Sequence, residues 1–242
     1  MSPDTALFTD PLFVGNLLSD LSAEQLRMLA KKDEVPNRWG IAVYHSKVRS
    51  RSAKKTHVIY EPTAEQMERM HQLREYIAGA DMVKVERIIG QSPQNQFRLR
   101  YYVSRDYPNL AYMMSRNFFV PKQPGEPDIV VVQVPEWPEV CIYVHPTEDG
   151  RVFTYAMGTD YYGEAKMGSL RAAMHIMRNV RGGLGLHAGS KLYRLRKEGQ
   201  LRELGVLIFG LSGTGKTTIT VNDHGLKPPE GVRILQDDIV MS

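Results

Sequence analysis

Apolar residues recur with helical spacing in four parts of the chain. The first part opens with the capping pattern Ser-Ala-Glu-Gln and continues with leucines at helical spacing, which is typical of a capped helix. In the second part we expect the methionines and leucines to lie in the core rather than to line a binding site. The predicted helices span residues 22–33, 63–79, 107–119 and 164–179.

Other stretches are rich in β-branched and aromatic residues and predict strands. The stretch DIVVVQV is almost entirely β-branched, which indicates a strand buried on both faces. Later in the chain, GVLIFG and VRILQDD read as strands on either side of a glycine-rich loop, a helix start and a polar turn. The predicted strands are residues 98–103, 128–134, 151–157, 205–210 and 232–238.

The order of these segments predicts a mixed α/β fold in two parts. A glycine-rich stretch at 181–189 is the expected join. We expect an N-terminal substrate-binding domain over residues 1–183 and the beginning of a P-loop nucleotide-binding domain over residues 184–242. A parallel sheet that stopped at Asp238 would leave strand edges unpaired, so the second domain is expected to be truncated.

Composition narrows the class of protein. The 242 residues are 42% hydrophobic and 24% charged, as in a globular protein with a sizeable core. The net charge of +4 fits an anionic small-molecule ligand slightly better than a nucleic acid. One cysteine, no apolar run of ~18 residues and no signal-peptide pattern predict a cytoplasmic protein without membrane partners.

The strongest motif is a loop of the form G-x-x-x-x-G-K-[ST]. Its glycines let backbone N–H groups approach phosphate oxygens, and the following helix points its positive end at the anion. Lys216 would contribute charge at the β- and γ-phosphates, and the Thr217 hydroxyl could bind Mg²⁺. The flanking strand and helix start disfavour an ordinary turn. The loop consists of Gly210, Leu211, Ser212, Gly213, Thr214, Gly215, Lys216, Thr217 and Thr218.

An acidic pair follows the loop about twenty residues later. Asp237 and Asp238 come at the end of a predicted strand. Carboxylates in this position commonly hold the metal of a nucleotide, directly or through water. A solvated acidic turn is the structural alternative.

Four stretches together resemble the ATP-dependent phosphoenolpyruvate carboxykinases, over roughly residues 45–242. The loop GLSGTGKTT agrees with the family's phosphate loop throughout. DYYGEAKMG is similar to the family element Y-x-G-E-x-K-K-G. GLHAG is similar to the segment with a metal-binding histidine, and SRSAKKTHVI to the G-R-S-P-K-D-K stretch with a substrate-binding arginine.

The resemblance implies a reaction and a set of residue roles. Oxaloacetate and ATP would give phosphoenolpyruvate, CO₂ and ADP, with Mg²⁺ and Mn²⁺, through an enolate whose oxygen accepts the γ-phosphoryl group. The resemblance implies a catalytic and substrate-binding role for Arg51, which would pair with a substrate carboxylate or with the transferring phosphoryl group. The other implied roles are substrate contact for Tyr161, γ-phosphate stabilisation by the catalytic residues Lys166 and Lys216, Mn²⁺ ligation by His187 and Asp238, Mg²⁺ ligation by Thr217, and support of the metals by Asp237 through water.

Structural interpretations remain for the residues outside the loop. Arg51 lies in a basic run that could be a solvated edge. His187 lies among glycines, where an imidazole with a structural role would also fit, and Tyr161 could be a packing residue.

Two departures from the family pattern bear on function. Met167 stands where the family has a second lysine that binds the catalytic Mn²⁺, and a thioether is a poor ligand for that ion. Family members are also considerably longer, and DDIVMS differs from the family's continuation after the acidic pair. Two alternatives therefore stay open: a P-loop small-molecule kinase, or a nucleotide-binding pseudo-enzyme without activity.

Overall fold

The computed structural model describes residues 3–11, 13, 15–49, 53–211 and 213–241. The chain divides into two compact units, Met1–Ile176 and Met177–Ser242. Among the described residues, no helix has the length and apolar character that crossing a membrane requires.

A mixed seven-stranded sheet forms the centre of the first unit. Its strands and those of a small hairpin are β1 (Leu17–Leu18), β2 (Val35–Pro36), β3 (Ala42–Val43), β4 (Thr56–Val58), β5 (Met82–Ile89), β6 (Phe97–Ser104), β7 (Ile129–Val134), β8 (Cys141–Pro146) and β9 (Val152–Met157). The order in the large sheet is β1-β5-β6-β7-β9-β8-β4. Strand β7 is parallel to both neighbours and all its residues are buried, so the prediction of burial on both faces is confirmed.

Four helices accompany this sheet: α1 (Ala23–Leu29), α2 (Ala64–Gly79), α3 (Pro108–Asn117) and α4 (Tyr162–Asn179). The first two begin with capping boxes, in which Ser22 and Thr63 each accept the backbone N–H of a glutamine that bonds back to the cap. The buried side chains of α2 include Leu73, which packs with Val132 and Tyr155 of the sheet. The core role predicted for the apolar residues of α2 is therefore confirmed.

The second unit contains an antiparallel sheet and a short helix. Its elements are β10 (Gly185–Lys197), β11 (Gln200–Phe209), α5 (Lys216–Val221), β12 (Gly231–Gln236) and β13 (Ile239–Met241). Strand β10 pairs antiparallel with β11 on one side and with β12 and β13 on the other.

The expectation of a parallel sheet here is wrong for the described residues. The strand that leads into the glycine-rich loop is the second arm of a hairpin, and the turn at Glu198 and Gly199 explains why. Both turn residues have positive φ, 52° and 77°, which matches the two-residue turns that join antiparallel strands. The long strand β10 was not predicted, although part of the supposed glycine-rich join belongs to it.

Gly189 of β10 allows α5 to pack closely on the sheet. A Cβ atom at this position would overlap the side chain of Thr220, a fully buried residue of α5. The backbone of β10 and the helix are therefore in direct contact, and no larger residue fits without moving α5.

We expect Gly189→Ala to lower the free energy of unfolding by about 1–3 kcal/mol, since the added methyl group must displace α5. Urea unfolding measures this. Gly205→Ala in β11 is the matched control, because a Cβ there would lie 3.7 Å from Leu192 Cδ2, an ordinary contact. Equal stability of the two variants would contradict the close packing of α5.

Candidate functional site

Three chain segments with candidate residues meet at one edge of the second unit's sheet. Ala188 of β10 pairs with Phe209, the last residue of β11 before the loop. On its other side, the Ala188 N–H donates to the Asp238 carbonyl at 3.0 Å. Adjacent strands lie ~4.8 Å apart, so the start of the loop and the acidic pair are separated by about two strand spacings, ~10 Å.

The glycine-rich loop has a backbone conformation that depends on its glycines. Gly213 and Gly215 have φ of 82° and 86°, in the left-handed region. Gly215 is the N-cap of α5, and the Ile219 N–H donates to its carbonyl at 3.0 Å. The Thr214 hydroxyl donates to the Leu211 carbonyl at 2.8 Å and thereby closes the loop on itself. Ser212 lies outside the described residues.

The Lys216 side chain folds back across the loop. Its ammonium donates to the carbonyl oxygens of Gly210 and Leu211 at 2.9 and 3.0 Å. Thr217 and Thr218 are exposed at the beginning of α5. The Lys216 ammonium therefore lies against the loop backbone, and the exposed residues Thr217 and Thr218 follow it directly.

His187 and Asp238 lie side by side at the same edge. His187 Nε2 is 3.6 Å from Asp238 Oδ1, and the two side chains are 61% and 40% exposed. The pairing of β13 with β10 explains this proximity, because His187 stands opposite Ile239 in the register. A ring so exposed is not packed into a core, which weighs against the structural interpretation of this histidine.

Asp237 adds a carboxylate oxygen that lacks a partner. Its Oδ1 is buried and makes no hydrogen bond within the described part of the chain. A buried carboxylate oxygen without a donor or cation is destabilising, so this atom suits a cation or a bound water. Within the described ranges, no three His, Cys, Asp or Glu side chains form a complete metal cluster.

A buried lysine supports the far end of α5. Lys191 of β10 is fully buried, and its ammonium donates to the carbonyls of Ile219 and Asn222, the latter at 3.2 Å. It also lies 2.8 Å from His224 Nε2. A cation at the carboxyl end of a short helix satisfies carbonyls that have no partner within the helix.

In the first unit, Tyr161 directly precedes α4, and residues 162–168 form the first turns of that helix. Tyr161 is half-buried, and its ring lies over Gly163, where any Cβ atom would overlap it. This contact gives a physical reason for glycine two positions after the tyrosine. Lys166 and Met167 are both half-buried on α4.

Arg51 lies outside the described residues, but the backbone that leads to it is described. The Asp160 carboxylate accepts the N–H groups of Lys47 and Val48 at 2.8 and 2.7 Å. The stretch that carries Arg51 is thus anchored, three residues upstream of it, to the residue that precedes Tyr161. The DYYGEAKMG stretch is thus in contact with the backbone just before the SRSAKKTHVI stretch.

Sequence reasoning missed Asp160, Lys191 and Gly189. Each acts through a partner 28 or more residues away, so no local spacing identifies it.

Comparisons with known proteins agree with these motifs. The family model described as phosphoenolpyruvate carboxykinase, in its ATP-dependent form, matches residues 16–242. The phosphoenolpyruvate carboxykinase (ATP) of Aeropyrum pernix is 45% identical over 201 residues, which cover 83% of this chain and 40% of that protein. The enzyme of the same name from Zea mays is 30% identical over 166 residues, which cover 63% of this chain and 23% of that protein.

A further relative, phosphoenolpyruvate carboxykinase (ATP) 1 of Urochloa panicoides, is 30% identical over 165 residues, covering 63% of this chain and 25% of that protein. The chain therefore spans well under half the length of these relatives. The matched residues begin before the SRSAKKTHVI stretch and include the glycine-rich loop and the acidic pair. The family predicted from the four motifs is confirmed, and the chain belongs to the ATP-dependent phosphoenolpyruvate carboxykinases.

Proposed function

We propose that this chain is the N-terminal part of an enzyme that converts oxaloacetate and ATP to phosphoenolpyruvate, CO₂ and ADP. Family membership supports the reaction. The observation that carries the proposal for this chain is the meeting of the phosphate loop, His187 and the acidic pair at one edge of the second unit's sheet.

The loop would bind the triphosphate of ATP. The backbone amides of the loop, including those of Lys216, Thr217 and Thr218, would donate to phosphate oxygens. The Lys216 ammonium donates to two loop carbonyls in this structure. Phosphate oxygens can replace these acceptors, so the ammonium can pair with the anion without a large rearrangement of the side chain. This charge would then stabilise the γ-phosphate during transfer.

The edge residues fit divalent ions in donor type. His187 and Asp238 would hold Mn²⁺, Thr217 would hold Mg²⁺, and the unpaired Asp237 oxygen would accept a metal-bound water. Two protein donors do not complete a coordination shell, so water or substrate would supply the remainder. When bound, such ions supply Lewis-acid stabilisation of charge on the reacting oxygens.

Residues of the first unit would bind oxaloacetate. Arg51 would pair with a substrate carboxylate through its guanidinium, Tyr161 would border the substrate, and Lys166 would stabilise negative charge on the γ-phosphate. The hydrogen bonds between Asp160 and the backbone before Arg51 support a shared site for Arg51 and Tyr161.

The domain division follows from these roles. Residues 1–183 would form the substrate-binding domain, and residues 184–242 the beginning of a larger P-loop nucleotide-binding domain. Large apolar side chains of the second unit support an incomplete domain, because Phe209, Leu211 and Leu235 are 73%, 81% and 54% exposed. A contiguous exposed apolar patch is typical of a surface that another part of a protein covers.

A small-molecule kinase is the second candidate, and Met167 favours it. Loss of the second lysine of the family element would weaken the Mn²⁺ site and with it decarboxylation. Phosphoryl transfer at the loop depends on other residues and would persist.

A coupled assay of the full-length protein with oxaloacetate, ATP and Mn²⁺ separates these candidates. Formation of phosphoenolpyruvate with stoichiometric ADP is expected. Without phosphoenolpyruvate, ADP release with hydroxyl-bearing acceptors would favour the kinase. Nucleotide binding without any turnover would leave a non-catalytic nucleotide-binding role.

We expect Lys216→Ala to weaken ATP binding by about 10- to 100-fold, the scale of hydrogen bonds to a charged group. Isothermal titration of the full-length protein measures the dissociation constant. Lys227→Ala removes an exposed lysine from the turn after α5 and serves as the charge-matched control. Unchanged ATP affinity in a folded Lys216→Ala protein would contradict the role of the loop.

Met167→Lys is expected to lower the dissociation constant for Mn²⁺, because it restores the family's second lysine beside Lys166. Electron paramagnetic resonance of free Mn²⁺ gives this constant without reference to activity. Met28→Lys adds a lysine at a 70% exposed position of α1 and controls for the change in net charge. If both variants bind Mn²⁺ as the wild type does, the metal site does not have the family geometry.

A further inference from the structure

Helix α5 is too short to hold its own position. It has six residues, Lys216–Val221, and an isolated helix of this length is not stable in water. Lys216, which the proposed function assigns to the γ-phosphate, is its first residue. The direction of Lys216 therefore depends on the contacts that hold α5 against the sheet.

The contact between Gly189 and Thr220 is one anchor of α5. The Thr220 side chain occupies the space that a Cβ atom on Gly189 would need, so the helix lies directly on the strand backbone. The Thr220 hydroxyl also donates to the Lys216 carbonyl at 2.9 Å, about one turn earlier in the helix. A single contact fixes how close α5 lies to β10, but it does not fix the tilt of the helix axis.

Lys191 of β10 provides a second anchor, at the carboxyl end of α5. A lysine ammonium has three N–H donors and no acceptor. Three acceptors face it here: the carbonyls of Ile219 and Asn222, and Nε2 of His224 at 2.8 Å. Because an ammonium can only donate, His224 Nε2 must accept. All three donors are therefore used on the end of α5 and the turn that follows it.

Burial makes this arrangement of Lys191 specific. The residue is fully buried, and a buried ammonium is strongly destabilising unless acceptors face it. Its Nζ also lies 4.8 Å from the centroid of the Tyr193 ring, a favourable place for a cation. Movement of the end of α5 would leave both the ammonium and the helix carbonyls without partners. With two anchors, the axis of α5 is fixed.

We propose that Lys191 is a positioning residue that orients Lys216 toward the triphosphate of ATP by fixing the carboxyl end of α5. This inference rests on the proposed function, because it takes Lys216 to pair with the γ-phosphate. Lys191 binds the opposite end of a helix that is ~9 Å long, and its N–H groups already have acceptors. Its loss should therefore weaken the binding of ATP and leave the use of oxaloacetate unchanged.

The test compares Lys191→Met with the wild type in the full-length protein. A methionine fills similar space but has no donor for the carbonyls of Ile219 and Asn222. The dissociation constant of ATP, measured by isothermal titration, should rise about tenfold, the scale of one hydrogen bond to a charged group. Lys197→Met makes the same change at an exposed position of β10 and should bind ATP as the wild type does. Unchanged ATP affinity in Lys191→Met, or an equal loss in Lys197→Met, would overturn the inference.

Steady-state kinetics separate positioning from general stability. A residue that only stabilises the fold changes the amount of active enzyme, so its loss lowers kcat and leaves both KM values as they were. The inference predicts instead that Lys191→Met raises the KM for ATP and leaves the KM for oxaloacetate unchanged. A fall in kcat alone would contradict it.

A double-mutant cycle tests whether Lys191 acts through Lys216. The effect of Lys191→Met on the dissociation constant of ATP should be clearly smaller in a Lys216→Ala background than in the wild type. Fully additive effects would show that the two residues act independently and would overturn the inference.

Hydrogen exchange of the α5 backbone amides needs neither nucleotide nor turnover. Faster exchange is expected in Lys191→Met and not in Lys197→Met, and unchanged exchange in Lys191→Met would overturn the inference. The proposed function can fail separately. A wild type that binds ATP but makes no phosphoenolpyruvate would overturn the carboxykinase reaction and leave the role of Lys191 standing. A wild type that does not bind ATP would overturn both.

Discussion

The register between β10 and its neighbours is the constraint on which the candidate nucleotide site depends. Ala188 stands opposite the last residue of β11 and bonds to the backbone of Asp238, so one residue fixes both the loop and the acidic pair. A slip of one residue would turn every side chain of β10 to the other face. It would also bring a residue with a Cβ atom to the position under α5 that Gly189 occupies.

A chain of buried hydrogen bonds has the corresponding role in the first unit. Tyr101, Gln133 and Thr159 connect the central strands to the backbone that leads to Arg51. Polar groups in a core must be satisfied, and a satisfied network permits few alternative arrangements. The candidate residues at the edge of the second unit's sheet lie on backbone that is paired on two sides, and Tyr161 of the first unit directly follows the anchored Asp160.

Sequence patterns predicted the regular elements well where the signal is local. The capping boxes at Ser22 and Thr63 and the β-branched run of β7 each depend on residues close together in the chain. Strand β10 was missed because its glycines resemble a linker and its later half alternates leucine with basic residues. The antiparallel pairing was missed because the loop motif is usually associated with parallel sheets, while the turn at Glu198 and Gly199 determined the actual partner.

The sequence predicted which residue types form the candidate site, but not how close together they lie. The loop, His187 and the acidic pair could be identified from motifs, whereas the proximity of His187 to Asp238 required the pairing of β13 with β10. Asp160 carries no motif of its own, because its partners lie over a hundred residues away.

The most direct measurement is a crystal structure of the full-length protein with Mn²⁺ and a non-hydrolysable ATP analogue, using anomalous scattering to locate manganese. An anomalous peak within coordination distance of His187 Nε2 and Asp238 Oδ1 is expected, with the triphosphate on the amides of the Gly210–Thr217 loop. A triphosphate bound elsewhere, or manganese remote from both side chains, would contradict the assignment of this sheet edge as the nucleotide and metal site.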